Sequence, residues 1–126
     1  MTLAQGIRTI GFRKWYERRL LTGHAHLVLV LGAVLGLMLA LEAANRFATP
    51  AERVFDWLVA LACAAGGLWA LRRYLYLLTY AEGVANQANC PVCGAYGRLE
   101  LVQSNPAGDE VSVRCKGCGH IWHIDS

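Results

Sequence analysis

The sequence predicts an α-helical transmembrane hairpin followed by a small all-β metal-binding ribbon. Three observations predict this class. No Asp, Glu, Lys or Arg occurs among the 22 residues between Arg19 and Glu42. A second stretch, Val54 to Leu71, has Asp56 as its one charged residue. The remainder, after residue 82, is polar and glycine-containing, and it carries two Cys-x-x-Cys pairs. At 126 residues the chain cannot hold two ordinary soluble domains, and its 56% hydrophobic content exceeds what a small water-soluble domain carries. The composition shift sets the expected boundaries: a basic juxtamembrane segment at 1–23, a two-span hairpin at 24–82 and a ribbon at 83–126.

The first span is centred on Leu27 to Leu41, an entirely apolar stretch. About 20 predominantly apolar residues suffice to cross a hydrocarbon core of about 30 Å. A cleaved signal peptide is the competing reading. The long basic region ahead of it, and Glu42-Ala43-Ala44-Asn45 as a poor cleavage site, weigh against that.

The second span opens with Thr49-Pro50-Ala51-Glu52, which places Thr at the N-cap, Pro at the first helical position and Glu three residues after the cap. Arg72 and Arg73 close it and can snorkel to the interface, while Trp57, Tyr74, Tyr76 and Tyr80 suit interfacial belts. A buried soluble helix is the alternative, but too little other chain exists to bury it. The short Asn45 to Ala48 connection joins the spans into a hairpin.

Arg8, Arg13, Lys14, Arg18 and Arg19 precede span one against a single Glu17. Arg46 and Arg53 near the connection are balanced by Glu42, Glu52 and Asp56, and Arg72 and Arg73 follow span two. The positive-inside rule then predicts a multi-pass protein of the bacterial inner (cytoplasmic) membrane with both termini cytoplasmic. That compartment is reducing, so its cysteines favour metal over disulfides.

Small residues recur at four-residue spacing: Gly32, Gly36, Ala40 and Ala44 in span one, Ala62, Gly66 and Ala70 in span two. They predict close packing of the two spans; Gly32 and Gly36 also have the spacing of a homodimer contact. Cys63, alone in mid-span, reads as a small buried apolar residue. His24 and His26 sit where span one begins and read as interfacial. Residues Leu3 to Leu21 mix aromatic and aliphatic side chains with five cations, which fits either an amphipathic helix drawn to anionic lipid or a basic topology signal. Gly6 and Gly11 weaken the helical reading.

In the last third, Arg98 to Val102 and Val111 to Arg114 alternate as strands around turn residues Ser104 to Asp109, and Ile121 to Ile124 offers a third strand. Cys90, Cys93, Cys115 and Cys118 are the candidate metal ligands. Four thiolates in two pairs can surround one tetrahedral zinc, and the 21 residues between Cys93 and Cys115 accommodate a hairpin. So few apolar residues make no independent core, so metal is expected to supply much of the folding free energy. His120 and His123 are alternative nitrogen ligands. Four cysteines already complete a tetrahedron, so both read as strand or supporting residues.

The set Cys90, Pro91, Cys93, Gly94, Val113, Cys115, Cys118, Gly119, His120 and Trp122 resembles the short prokaryotic zinc-ribbon fingers over about residues 88 to 125. The resemblance implies a four-cysteine structural zinc site and does not carry a task, because such ribbons serve many. The knuckles are also similar to those of rubredoxins, which hold iron. Two functions follow. The leading one is a non-enzymatic docking or accessory subunit with a membrane or cytoplasmic protein partner; the alternative is a membrane-tethered rubredoxin-like electron carrier. Four cysteines leave no coordination position for a catalytic water, which argues against an enzyme. Nucleic acid is not an expected partner, since Arg98, Arg114 and Lys116 are offset by Glu100, Asp109, Glu110 and Asp125. Trp122 reads either as a docking anchor or as a cover of the small sheet.

Overall fold

The computed structural model describes residues 2–46 and 49–126. Three helices precede three strands: α1 (Leu3–Thr9), α2 (Phe12–Arg46), α3 (Pro50–Gln87), β1 (Leu99–Ser104), β2 (Val111–Cys115) and β3 (Ile121–Ile124). Two compact units result, one formed by Thr22–Tyr76 and the other by Met1–Leu21 together with Leu77–Ser126.

The Thr22–Tyr76 unit is the helical pair. By length and composition, α2 and α3 are each long and apolar enough to cross a membrane. Of the expected connection, Asn45 and Arg46 complete α2, while Phe47 and Ala48 lie outside the described residues. The predicted capping box is present: the Thr49 N–H donates to Glu52 Oε2 at 2.9 Å, and the Glu52 N–H donates to Thr49 Oγ1 at 3.4 Å. Arg46 pairs with Glu42 at 3.0 Å.

Along the seam between the helices, Val30, Ala33, Leu37, Ala40 and Ala44 are covered on one side, and Ala60, Cys63, Gly67, Ala70 and Tyr74 on the other. A β-carbon on Gly36 would lie 3.0 Å from Cys63 Sγ, and one on Gly67 would lie 3.0 Å from the Ala33 Cβ. The seam keeps Gly36, Ala40, Ala44 and Ala70 of the stripe read at four-residue spacing and leaves out the rest. Ala62, Gly66 and Gly32 are exposed, and nothing lies within 4 Å of a β-carbon built on Gly32 or Gly66. A four-residue step overshoots one turn by about 40°, so a strict four-spaced stripe winds out of the contact, whereas alternating steps of three and four stay in it.

The second unit places a sheet under a helical roof. Its strand order is β1-β2-β3, antiparallel throughout, with Leu99 opposite Cys115 and Val113 opposite Trp122. One face buries Leu99, Val111, Val113 and Ile124. Against it lie Leu3, Ala4 and Ile7 of α1, Phe12 and Trp15 from the start of α2, Val84 from the end of α3 and Ala88 just after it. The N-terminal apolar residues are thus spent on the core of the ribbon. This answers the shortage of apolar side chains in residues 83–126: five of the packing residues, Leu3, Ala4, Ile7, Phe12 and Trp15, come from outside that segment. Complete burial of a Leu-sized or larger apolar side chain stabilises by about 1.5–3 kcal/mol, and Leu3 and Trp15 are both fully buried here.

Local chemistry explains why α1 forms despite its glycine. Thr2 and Gln5 make a reciprocal capping box at its start. Gly6 is needed for contact, because a β-carbon there would overlap the Trp15 indole. Gly11, at φ 84°, turns the chain from α1 into α2. At the other end Gln87 fastens β3 to α3: its Nε2 donates to the Asp125 carbonyl at 2.7 Å, and its Oε1 accepts from the Asp125 N–H at 3.0 Å.

Candidate metal centre

The two Cys-x-x-Cys turns repeat one backbone pattern 25 positions apart. The Cys90 N–H donates to the Ala95 carbonyl at 3.0 Å, and the Cys115 N–H donates to that of His120 at 2.8 Å. The Gly94 N–H donates to the Cys90 carbonyl at 2.9 Å, and the Gly119 N–H to the Cys115 carbonyl at 3.0 Å. Gly94 and Gly119 adopt φ of 72° and 77°, the left-handed conformation in which a side chain would be strained. Each knuckle is thus a closed turn whose amides point back at its own first sulfur.

The fold brings the turns together. Gly97 N–H donates to the Ala88 carbonyl at 3.1 Å, and Lys116 N–H donates to the Arg98 carbonyl at 3.0 Å, which ties the second knuckle to the strand leaving the first. The sulfurs of Cys90, Cys93, Cys115 and Cys118 all lie within 4.8 Å of one another. The two crossed pairs, Cys90–Cys118 and Cys93–Cys115, are separated by 3.4 and 3.5 Å. A disulfide requires about 2.05 Å. A tetrahedron with metal–sulfur bonds of about 2.3 Å has sulfur–sulfur edges of about 3.8 Å. The four sulfurs therefore fit one metal ion. Cys90 and Cys115 are buried at the inner side, and Cys93 and Cys118 face solvent.

The electrostatics of the cluster fit a cation as well. The Cys115 thiol is pulled down to about 6, chiefly by the backbone N–H of Cys118 and then that of Gly117, whose nitrogen stands 3.3 Å from the sulfur. At Cys90 burial is the largest influence and raises the thiol, but the N–H groups of Cys93 and Val92 with the neighbouring sulfurs outweigh it, so the net shift is downward. Cys118 is pushed up to about 12: the His120 N–H is its largest influence and lowers it, but the Cys90 sulfur, burial and the other two thiols together prevail. Four adjacent sulfurs cannot all ionise without a compensating positive charge.

Both histidines lie outside this set. The His123 Nδ1 is 2.9 Å from Ser112 Oγ, and the His120 ring stacks on Trp122 with centroids 6.3 Å apart. Trp122 is half-buried against the core, and its indole N–H donates to the Gln87 carbonyl at 2.9 Å. Among the contributors not anticipated from the sequence are the backbone carbonyls of Ala95, His120 and Arg98. The equal spacing of Cys90-to-Ala95 and Cys115-to-His120 was the signal that could have found the first two.

No protein-family model, curated protein or solved structure matches this chain.

Proposed function

We propose that this chain is a membrane-anchored zinc-ribbon protein without catalytic activity, whose ribbon serves on the cytoplasmic side as a docking or accessory module. The observation that carries the metal assignment is the pair of equivalent knuckles converging on four sulfurs. Thiolates are soft donors, which suit Zn²⁺ among the common divalent ions, and a four-thiolate set fills a tetrahedron and keeps water off the metal. When bound, zinc supplies cross-linking of the two knuckles. The residues Cys90, Cys93, Cys115 and Cys118 hold it, and their amides stabilise the thiolates.

Membrane anchoring is supported by the helical pair. Leu31, Leu35, Met38 and Leu39 of α2 and Leu58, Leu61 and Leu68 of α3 are exposed, far more apolar surface than a water-soluble helical pair presents. The cationic residues flanking the apolar stretches of both helices support the cytoplasmic placement of both termini. Docking is supported by the ribbon's own surface. Val92 within the first knuckle and Ile121 just past the second are 66% and 45% exposed, an apolar presentation with no role in the core.

Metal analysis with an absorption spectrum of the purified full chain tests the reading. One zinc per chain and no visible band is expected. Stoichiometric iron with thiolate charge-transfer bands and a reversible one-electron potential would replace docking with electron transfer.

A further inference from the structure

A cavity of about 560 Å³ opens beside the first knuckle, a size within the range of small-molecule sites. Its wall is aromatic. Phe12 and Tyr16 are stacked at 6.2 Å with 14° between their planes, and Tyr96 meets Phe12 edge-on at 6.3 Å. Phe12, Tyr16 and Leu20 follow one another at four-residue steps, so a single face of α2 forms the floor.

The two ends of this groove differ in chemistry. A β-carbon on Gly97 would lie 3.6 Å from Phe12 Cδ1, which puts the adjoining Arg98 at the Phe12 end. Arg13 is on the same turn and is paired with Glu17 at 3.3 Å. Arg98 has no carboxylate within 4.0 Å among the described residues, so the lining carries a net positive charge. Leu20, about 12 Å further along the helix at 1.5 Å per residue, is the first residue of the charge-free run. A cationic end joined to an apolar end matches a ligand with an anionic head and an apolar tail.

We infer that this groove binds an anionic phospholipid, with the phosphate at Arg98 and the upper acyl chain along Tyr16 and Leu20. The inference rests on the membrane reading above. An extended peptide would also find aromatic walls, but a peptide has no reason to follow the helix toward the charge-free run. Basic pockets beside membrane helices are the sites where acidic headgroups settle.

The test uses the full chain purified in detergent, titrated with phosphatidylglycerol or phosphatidylcholine of equal chain length and followed by native mass spectrometry. The wild type should retain phosphatidylglycerol roughly tenfold better, the scale of a charge-assisted hydrogen bond. Arg98→Gln should abolish that preference, Arg98→Lys should keep most of it, and the ribbon control Lys116→Gln should leave it intact. Zinc content reports that each variant is folded. Equal retention of the two lipids by the wild type, unchanged selectivity in Arg98→Gln, or equally strong competition by glycerol phosphate without chains would overturn the site. Carbonate washing of membranes separates the two readings. A chain that stays in the pellet but shows no Arg98-dependent selectivity loses only the groove, whereas a chain that washes out loses the membrane reading too.

Discussion

Gly6 lies against the indole of Trp15 so closely that a β-carbon at position 6 would occupy the space of the ring. The contact joins α1 to the start of α2 and seats Trp15, 1% exposed, in the core that supports the ribbon. Gly6→Ala is therefore expected to destabilise despite the better helix propensity of alanine. Overpacking of this kind costs about 1–3 kcal/mol, more than the roughly 1 kcal/mol that Ala gains over Gly within a helix. Urea titration followed by Trp fluorescence should show the ribbon unit unfolding at lower denaturant. An unchanged or raised midpoint would mean that Trp15 is free to move aside.

The four thiolates should behave as one unit. Cys90→Ser, Cys93→Ser, Cys115→Ser and Cys118→Ser are each expected to lose stoichiometric zinc and destabilise the ribbon, while the helical pair stays in the membrane fraction. Its seam of Ala33, Gly36, Cys63 and Gly67 owes nothing to the metal. Zinc content and carbonate extraction are measured on the same samples. Retention of full zinc by Cys115→Ser would bring His120 or His123 into the ligand set.

Zinc uptake should release fewer than four protons per ion at pH 7. Cys115, at about 6, is already ionised there in the metal-free ribbon, whereas Cys118, at about 12, must give up its proton. The sign for stability follows from the same shifts. The depressed Cys115 contributes stability to the metal-free fold above its unfolded value of 9.0, and that contribution fades as pH falls through about 6. The raised Cys118 contributes below 9.0 and loses its contribution as pH rises through about 12. A pH-stat titration with zinc measures the release; four protons at pH 7 would show that Cys115 is an ordinary thiol.

The strands, the knuckles and the α3 cap were legible because each rests on neighbours in sequence. Alternation places Leu99, Val111 and Val113 on one face, the Cys-x-x-Cys-Gly pattern sets the turn, and Thr49 reaches only to Glu52. What could not be read was the partner of each apolar face. Trp15 and Ile7 look like membrane anchors beside five cations, and only the tertiary structure shows them under the sheet. One local signal went unread: Thr2-Leu3-Ala4-Gln5 has the spacing of a capping box and marks α1 as a helix in spite of Gly6. The helix seam was misread only in part, at Gly32, Ala62 and Gly66, and for a different reason. Ala62 and Gly66 are as small as Cys63 and Gly67, so size alone did not fix which of two adjacent stripes turned inward.

Topology has a direct test. In intact spheroplasts, tags at both termini should survive added protease, since five cations precede the apolar run of α2 and Arg72 and Arg73 lie near the far end of span two. A cysteine introduced at Ala48 should react with an impermeant maleimide from outside. Digestion of the C-terminal tag from outside would invert the topology and place the cysteines in an oxidising compartment.

The sharpest separation between core and docking roles falls on Trp122. Its ring covers the buried face of the sheet and its Nε1 donates to the Gln87 carbonyl, the same residue whose side chain holds Asp125. Trp122→Phe keeps most of the apolar cover and loses one hydrogen bond, for a cost of about 0.5–1.5 kcal/mol. Trp122→Ala removes the cover as well, and large-to-small changes of a fully buried aromatic cost about 3–5 kcal/mol; half-burial places this one toward or below the lower end. Both variants should therefore lose zinc faster to a chelator, Ala more than Phe. Val92→Ser, on the exposed tip of the first knuckle, should leave chelator kinetics unchanged while weakening recovery of a cross-linked partner. Normal zinc retention in Trp122→Ala, with loss of that partner, would instead make the indole the docking anchor.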